Sequence, residues 1–241
     1  MLQLVHENTA AAVLFGIDKV NKDAQNHNVL FYNMGGIDTE VTIAKYSHIN
    51  TTDKNKLTPY IEIISESADR NLGSLDFDIV LVNLLADKFN SLPERQGKPD
   101  CRENVRAVKR LQKEAIRIKE VFSANKEASV KISELIDGVT LKITLDRDEF
   151  EARSSHIFSK VWAPVEDALE KAGMTLEQLD QIELLGGGVR TPKVLEIIES
   201  RVGGKKELGT HLNGDEAMCF GSAFIGSNLT TSFKVASVLL T

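Results

Sequence analysis

Apolar and polar positions along the chain change period several times, and each change predicts an element. Val105, Val108, Leu111, Ala115, Ile118 and Phe122 recur every three or four residues, the period of one helix face. The outer face of that segment carries Arg102, Arg106, Lys109, Arg110, Lys113, Arg117 and Lys119. This run reads as a solvated helix surface, with a second reading in which one or two cations reach a ligand phosphate or base. From about Phe77, the apolar positions Ile79, Val80, Val82, Leu84, Leu85 and Phe89 predict another helix, broken at Pro93 and Pro99. The period then falls to two. Val130-Lys131-Ile132 and the alternation Val139 to Leu145, joined through Asp137-Gly138, predict a hairpin with one buried face.

The same reading extends to both ends. Leu4 to Gly16 predicts a short apolar strand, a turn, and an Ala-rich helix stopped by Gly16, with Glu7 at the bend. Residues 21–28 are a polar loop. Val29 to Tyr32, Val41 to Ala44 and Tyr60 to Ser65 predict three strands, the first two joined by the turn Asn33-Met34-Gly35-Gly36. They suggest an antiparallel meander feeding a mixed sheet. Asp146 to Glu149 opens a helix, and two helical stretches follow, the second ending at Gly173. Strand Gln181 to Leu185, the turn Gly186-Gly187-Gly188, a helix begun by Pro192 and a last helix after Gly214-Asp215 complete the order.

Composition narrows the function classes. A chain of 241 residues with 42% apolar and 27% charged side chains is ordinary globular material, one large domain or two subdomains. Its net charge of −6 provides no basic field for a nucleic acid backbone, so no nucleic acid partner is expected. Cys101 and Cys219 have neither disulfide-framework nor metal-ligand spacing, and the histidines form no cluster. No apolar run approaches a membrane span and no secretory signal opens the chain. Asn50-Thr51-Thr52 and Asn228-Leu229-Thr230 match the N-glycosylation acceptor.

Two glycine turns carry the candidate chemistry. Gly35-Gly36 and Gly186-Gly187-Gly188 each follow a strand, and a run without Cβ atoms lets backbone N–H groups close on phosphate oxygens. The second also precedes a helix, whose N-terminus favours an anion. Each turn alone is also explained as a tight corner, since neither matches the GxxxxGK[ST] or GxGxxG pattern.

The order of strand-Gly-Gly-strand, cationic helix, strand-Gly-Gly-Gly-helix and Gly-Asp-Glu-Ala resembles the ATPase domain of the heat-shock 70-kDa chaperone family. The resemblance runs from Glu7-Asn8-Thr9-Ala10-Ala11-Ala12 to Asn213-Gly214-Asp215-Glu216-Ala217. Leu185 to Lys193 is similar to the family's adenosine motif, and Asn71 to Asp78 to its lobe segment. Arg102 to Asn125, with Phe31 to Gly35, looks closest to the large hypoxia-up-regulated, 170-kDa glucose-regulated branch. The implied fold is α/β: an actin-like ATPase (ribonuclease H-like) lobe, a mixed sheet flanked by helices plus a smaller α+β subdomain. The implied division is 1–66 for the phosphate-side subdomain and 67–150 for a helical and hairpin subdomain. Residues 151–230 return to the first with the adenosine motif, and 231–241 begin a linker. On this resemblance the chain is the second lobe, with the first lobe upstream and the substrate-binding half downstream of about Phe233-Lys234-Val235.

The resemblance also implies ligands and roles. ATP or ADP with Mg2+ would lie between the lobes. Gly35 and Gly36 would follow the phosphates, while Gly186, Gly187, Gly188 and Arg190 would border the adenosine. Lys119 and Ser123 would approach ribose and base, and Asp215 would line the same pocket. Glu7 would be the catalytic carboxylate near magnesium and the attacking water, a task suited to a carboxylate at a strand end. Five departures stand out. Asn33 stands for the family's catalytic aspartate, Asp38 for a threonine, Ile37 for a third glycine, and Glu120 and Ile116 for adenosine-side arginine and glutamate. A carboxylate about 4 Å from a phosphate charge repels by roughly 4 kcal/mol at an effective dielectric near 20, so a tightly held γ-phosphate is disfavoured.

The expected function is thus a nucleotide-binding lobe of a large chaperone of the endoplasmic reticulum lumen. Its partners would be unfolded clients and a conventional heat-shock 70-kDa-type chaperone, for which it would act as a nucleotide exchange factor. A conventional ATP-hydrolysing chaperone domain, a sugar or acetate kinase, and an interaction module that has lost its nucleotide site are the alternatives. The lobe alone is not expected to be catalytic, because orientation between two lobes supplies much of the rate.

Overall fold

A computed structural model describes residues 3–18, 26–50, 57–214, 216–230 and 239–241. The polar stretch 21–28, both threonines of the Asn50 sequon, Asp215 and Phe233 to Val235 lie wholly or partly outside these residues.

The meander is present and longer than the hydrophobic runs alone define. Strands β1 (His27–Met34), β2 (Thr39–Asn50) and β3 (Leu57–Asp69) pair antiparallel in chain order. Strand β6 (Gln181–Leu185) adds to β1 in parallel, β7 (Glu207–Gly209) adds to β6, and β8 (Leu239–Leu240) pairs in parallel with β3. The resulting order is β7-β6-β1-β2-β3-β8. Leu239–Leu240, from the stretch read as the start of a linker, therefore form the edge opposite β7. Two further strands, β4 (Glu127–Ile136) and β5 (Val139–Asp146), make the separate hairpin that the alternation indicates.

Alternation along β1 assigns its two faces. Val29 and Phe31 face helices α1 (Glu7–Asp18) and α8 (Ala217–Asn228), in a cluster with Phe15, Tyr46 and Ile225. Leu30, Tyr32 and Met34 face the opposite way, into the larger core. That side is covered by α6 (Ala163–Ala172) and α7 (Pro192–Val202). Ser65 Oγ donates to the Ala168 carbonyl at 2.8 Å, fastening α6 to β3. Burial pushes the Tyr32 phenol up, so it stays protonated and donates to the Val161 carbonyl at 2.9 Å.

The same core continues into the helical part. Helices α2 (Ser74–Asn90) and α3 (Val105–Phe122) pack on the hairpin and on α4 (Arg147–Arg153) and α5 (Ser155–Phe158). Phe77, Phe122, Phe150 and Phe158 form its aromatic centre, with Phe122 and Phe150 stacked at 5.7 Å. Ala107, Leu111, Ala115, Ile118 and Phe122 are the buried stripe of α3, as their spacing requires.

One expectation is corrected. Residues 3–6, read as a strand ahead of the first helix, have no strand partner among the described residues, and α1 begins directly at Glu7. Leu4 is 81% exposed, so an apolar pair without a neighbouring sheet edge has nothing to hold it extended. Helix α2 also starts three residues before Phe77, because Asp76 accepts the Gly73 N–H at 3.0 Å and closes the first turn.

Candidate functional site

Strands β1 and β6 run parallel and end together, Asn33 opposite Leu185. Crevices outside the carboxyl ends of such strands are the usual ligand sites of α/β sheets. Both glycine turns lie there. The Gly35–Asp38 turn is closed by the Gly35 N–H on the Asp38 carbonyl at 2.9 Å, and its own carbonyls receive the first N–H groups of α2. Ser74 N donates to Gly35 O at 3.0 Å and Leu75 N to Gly36 O at 2.8 Å. This close docking needs Gly73, where a Cβ would lie 2.6 Å from the Gly36 carbonyl carbon.

The second turn leans on the end of β1. A Cβ on Gly188 would lie 2.5 Å from Met34 Cγ, and one on Gly214 would lie 3.3 Å from Gly186 N. Thus Gly35, Gly36, Gly186, Gly187 and Gly188 gather at one strand end, with Gly73 and Gly214 behind them.

The side chains expected around this junction are placed as follows. Lys119 Nζ donates to the Asp78 carboxylate at 2.8 Å and to the Ser74 carbonyl at 3.1 Å, so α3 is tied to the helix start that holds the first turn. Ser123 caps α3 one turn later, exposed, its hydroxyl donating to the Glu120 carbonyl at 2.7 Å. Arg190 ends the short helical turn after Gly186, exposed and without an ion pair among the described residues. Glu7 is the exposed first residue of α1. Asp215 lies outside the described residues. Of the departures, Asn33 is buried at the end of β1, while Ile37 projects 71% exposed from the turn tip.

Glu7 and Asp38 share their surroundings with Glu40. Burial, then the charges of Asp38 and Glu7, raise the Glu40 carboxyl above its ordinary value. It borders a notch of about 190 Å³ with His6, Asn8 and Glu66. Among the described residues no group of three His, Cys, Asp or Glu side chains is arranged to hold a metal ion. A raised carboxyl means that the folded protein binds this proton more tightly than the unfolded chain. Its charge therefore costs stability at pH values above the raised value, and the cost disappears below the ordinary carboxylate range. Glu40→Gln should raise the melting temperature at pH 7 and leave it unchanged near pH 3.5; scanning calorimetry at the two values checks this.

Gly73 and Asp78 fall inside the lobe segment Asn71 to Asp78, where the sequence assigns neither a role, and Glu40 is absent from the residues picked out by pattern. Asp78 carries the available signal, an acid at a buried helix position between Phe77 and Leu81.

A doubly covered mixed sheet with its glycine turns at the ends of parallel strands defines an actin-like α/β lobe. The family model described as "Hsp70 protein" matches residues 1–241, and the chain belongs to that family, whose ATPase domains bind ATP or ADP with Mg2+. It is 39% identical over 238 residues to hypoxia up-regulated protein 1 of Xenopus tropicalis, covering 98% of this chain and 36% of that protein. The mouse and human proteins of the same name are 39% and 38% identical over the same length, with 23% of each covered. The chain thus spans about a quarter to a third of the relatives it matches. Among the described residues no helix is long and apolar enough to cross a membrane.

Proposed function

We propose that this chain is the second nucleotide-binding lobe of a large Hsp70-type chaperone that assists folding in the endoplasmic reticulum lumen. The observation that carries the reading is the meeting of the two glycine turns at the end of β1, packed so closely that Gly73 and Gly186 leave no room for a Cβ. Gly35 and Gly36 follow the phosphates. Gly186, Gly187, Gly188 and Arg190 border the adenosine, with Lys119, Ser123 and Asp215 beside them. Two of the three Lys119 N–H groups are spent on Asp78 and Ser74, which leaves one for a ribose hydroxyl. Glu7 orders water on the α1 side. Bound Mg2+ supplies neutralisation of phosphate charge.

Residues 1–66 and 151–230 form the nucleotide-side unit in this reading, and 67–150 the smaller one. Asn33 and Asp38 support binding over rapid turnover, and with it a role as exchange factor for a conventional Hsp70 partner. The matched relatives are named hypoxia up-regulated protein 1, in keeping with the hypoxia-up-regulated branch on whose resemblance the lumenal assignment rests.

Isothermal titration of Mg-ADP and Mg-ATP into the chain and its Asp38→Thr variant tests the reading. ADP should bind, ATP more weakly, and the substitution should restore ATP by about tenfold if it removes a repulsion of even 1.4 kcal/mol. No heat with either nucleotide, in a chain shown to be folded, would favour an interaction module instead.

A further inference from the structure

Strand β6 is buried throughout, and Ile182, Leu184 and Leu185 are the apolar residues such a strand calls for. Its central residue is an acid. Glu183 is 0% exposed, and a carboxylate in that position is costly unless donors surround it. Three do. The His211 and Leu212 backbone N–H groups donate to Oε1 at 2.5 and 2.9 Å. Gln181 Nε2 donates to Oε2 at 3.2 Å, and His211 Nδ1 lies 3.0 Å from the same oxygen. Gln181 Nε2 also lies 3.2 Å from His211 Nδ1, so amide, imidazole and carboxylate share one corner. Gly209 on β7 makes the space, since a Cβ there would collide with Glu183 Oε2 and lie 2.6 Å from Gln181 Nε2.

Two of the three donors are main-chain groups of one segment, and that segment leads straight to the glycine junction. Leu212 is buried against α1 and α8. The Asn213 carbonyl accepts from Glu216 N at 3.1 Å and Ala217 N at 2.8 Å, which starts α8. Gly214 then stands against Gly186. An apolar residue at 183 would fill the same volume but leave the two N–H groups without an acceptor, and they would draw the segment toward water. We infer that Glu183 is a positioning residue for the adenosine side of the site, holding residues 211–214 where Gly214 closes on Gly186. The inference rests on the nucleotide reading above.

The test titrates Mg-ADP and Mg-ATP into the wild-type chain, Glu183→Met and Glu183→Gln. Methionine keeps the volume and accepts nothing useful; glutamine still accepts both main-chain bonds through its carbonyl oxygen. The Kd should rise about tenfold in the methionine variant and stay within about twofold in the glutamine variant. The factor should be equal for the two nucleotides, with unchanged stoichiometry, and amide exchange at His211 and Leu212 should quicken in the methionine variant alone. An unchanged Kd in the methionine variant, or a lower stoichiometry at unchanged Kd, overturns the inference by leaving only a structural role. If that variant does not fold, Gly214→Ala disturbs the same contact from its other side, with a Cβ 3.3 Å from Gly186 N, and should weaken both nucleotides by about threefold; wild-type affinity there overturns it equally. A wild-type chain that binds neither nucleotide overturns the nucleotide reading itself, before any variant is compared.

Discussion

Replacing Gly186 with alanine is expected to abolish measurable ADP binding and to cost the fold about 3 kcal/mol or more, from backbone strain and overpacking together. Gly186 has φ 81° and ψ 155°, a region open in practice only to glycine. Sterics add to the strain. The new Cβ would collide with the Met34 carbonyl oxygen and lie 2.7 Å from both Asn33 Oδ1 and the Met34 carbonyl carbon. Neither neighbour can yield cheaply, because Asn33 and Met34 are paired with β2 on one side and Asn33 with β6 on the other. The turn must move instead, taking with it Gly188 and the contact to Gly214. Gly187→Ala is the internal control, since a Cβ there meets nothing within 4 Å and stability should change by less than about 0.5 kcal/mol. Urea unfolding of both variants, with ADP titration of whichever folds, checks the pair. A Gly186→Ala chain as stable as wild type would sink the geometry described for the turn.

The elements whose chemistry is local are the ones legible in the sequence. The 3.6-residue stripe of α3, the alternation of β5 and the Asp137-Gly138 corner depend on neighbours within a few positions, and each forms where the pattern indicates. Both glycine turns are likewise visible as composition, and β1 as an apolar run. The contacts that turn those corners into one junction are not local. Gly73 matters because Gly36 and Ile37 approach it, Gly209 because Glu183 lies beneath it, and Gly214 because Gly186 is close. Nothing near these residues in sequence reveals those partners. The Lys119–Asp78 pair spans 41 positions, so the cation is legible as part of a charge run while its engagement with α2 is not. The first segment misleads for the same reason: Leu4-Val5 has the composition of a strand, and only a sheet edge alongside could have made it one. Glu183 did have a signal, a charged residue inside a short apolar strand, which the glycine turn three residues later overshadowed.

The crossing of α1 and α8 carries the second large effect. Gly221 of α8 lies against the backbone of Ala10, so closely that a Cβ would collide with the Ala10 carbonyl oxygen and lie 2.5 Å from its carbon. Gly221→Ala must separate the helices, and α1 cannot retreat. Phe15 packs edge-on against Phe31 at 5.5 Å, and the Tyr46 hydroxyl donates to the Ala12 carbonyl at 2.8 Å, locking α1 to the sheet. Helix α8 moves, and its start at Asn213 and Gly214 joins the segment that abuts Gly186. The expected loss is about 3 kcal/mol, the upper part of the range for overpacking, since backbone rather than a side chain blocks the way. Gly226 on the same helix makes the opposite case. A Cβ there meets nothing within 4 Å, so Gly226→Ala removes helix-interior glycine entropy and should stabilise by about 0.5 to 1 kcal/mol. Opposite signs from two Gly→Ala changes five residues apart on one helix, read by urea unfolding, would establish that close approach at Ala10 rather than helix propensity governs this crossing. Equal signs would mean that α8 is free to shift, and the path from the crossing to Gly186 would lose its support.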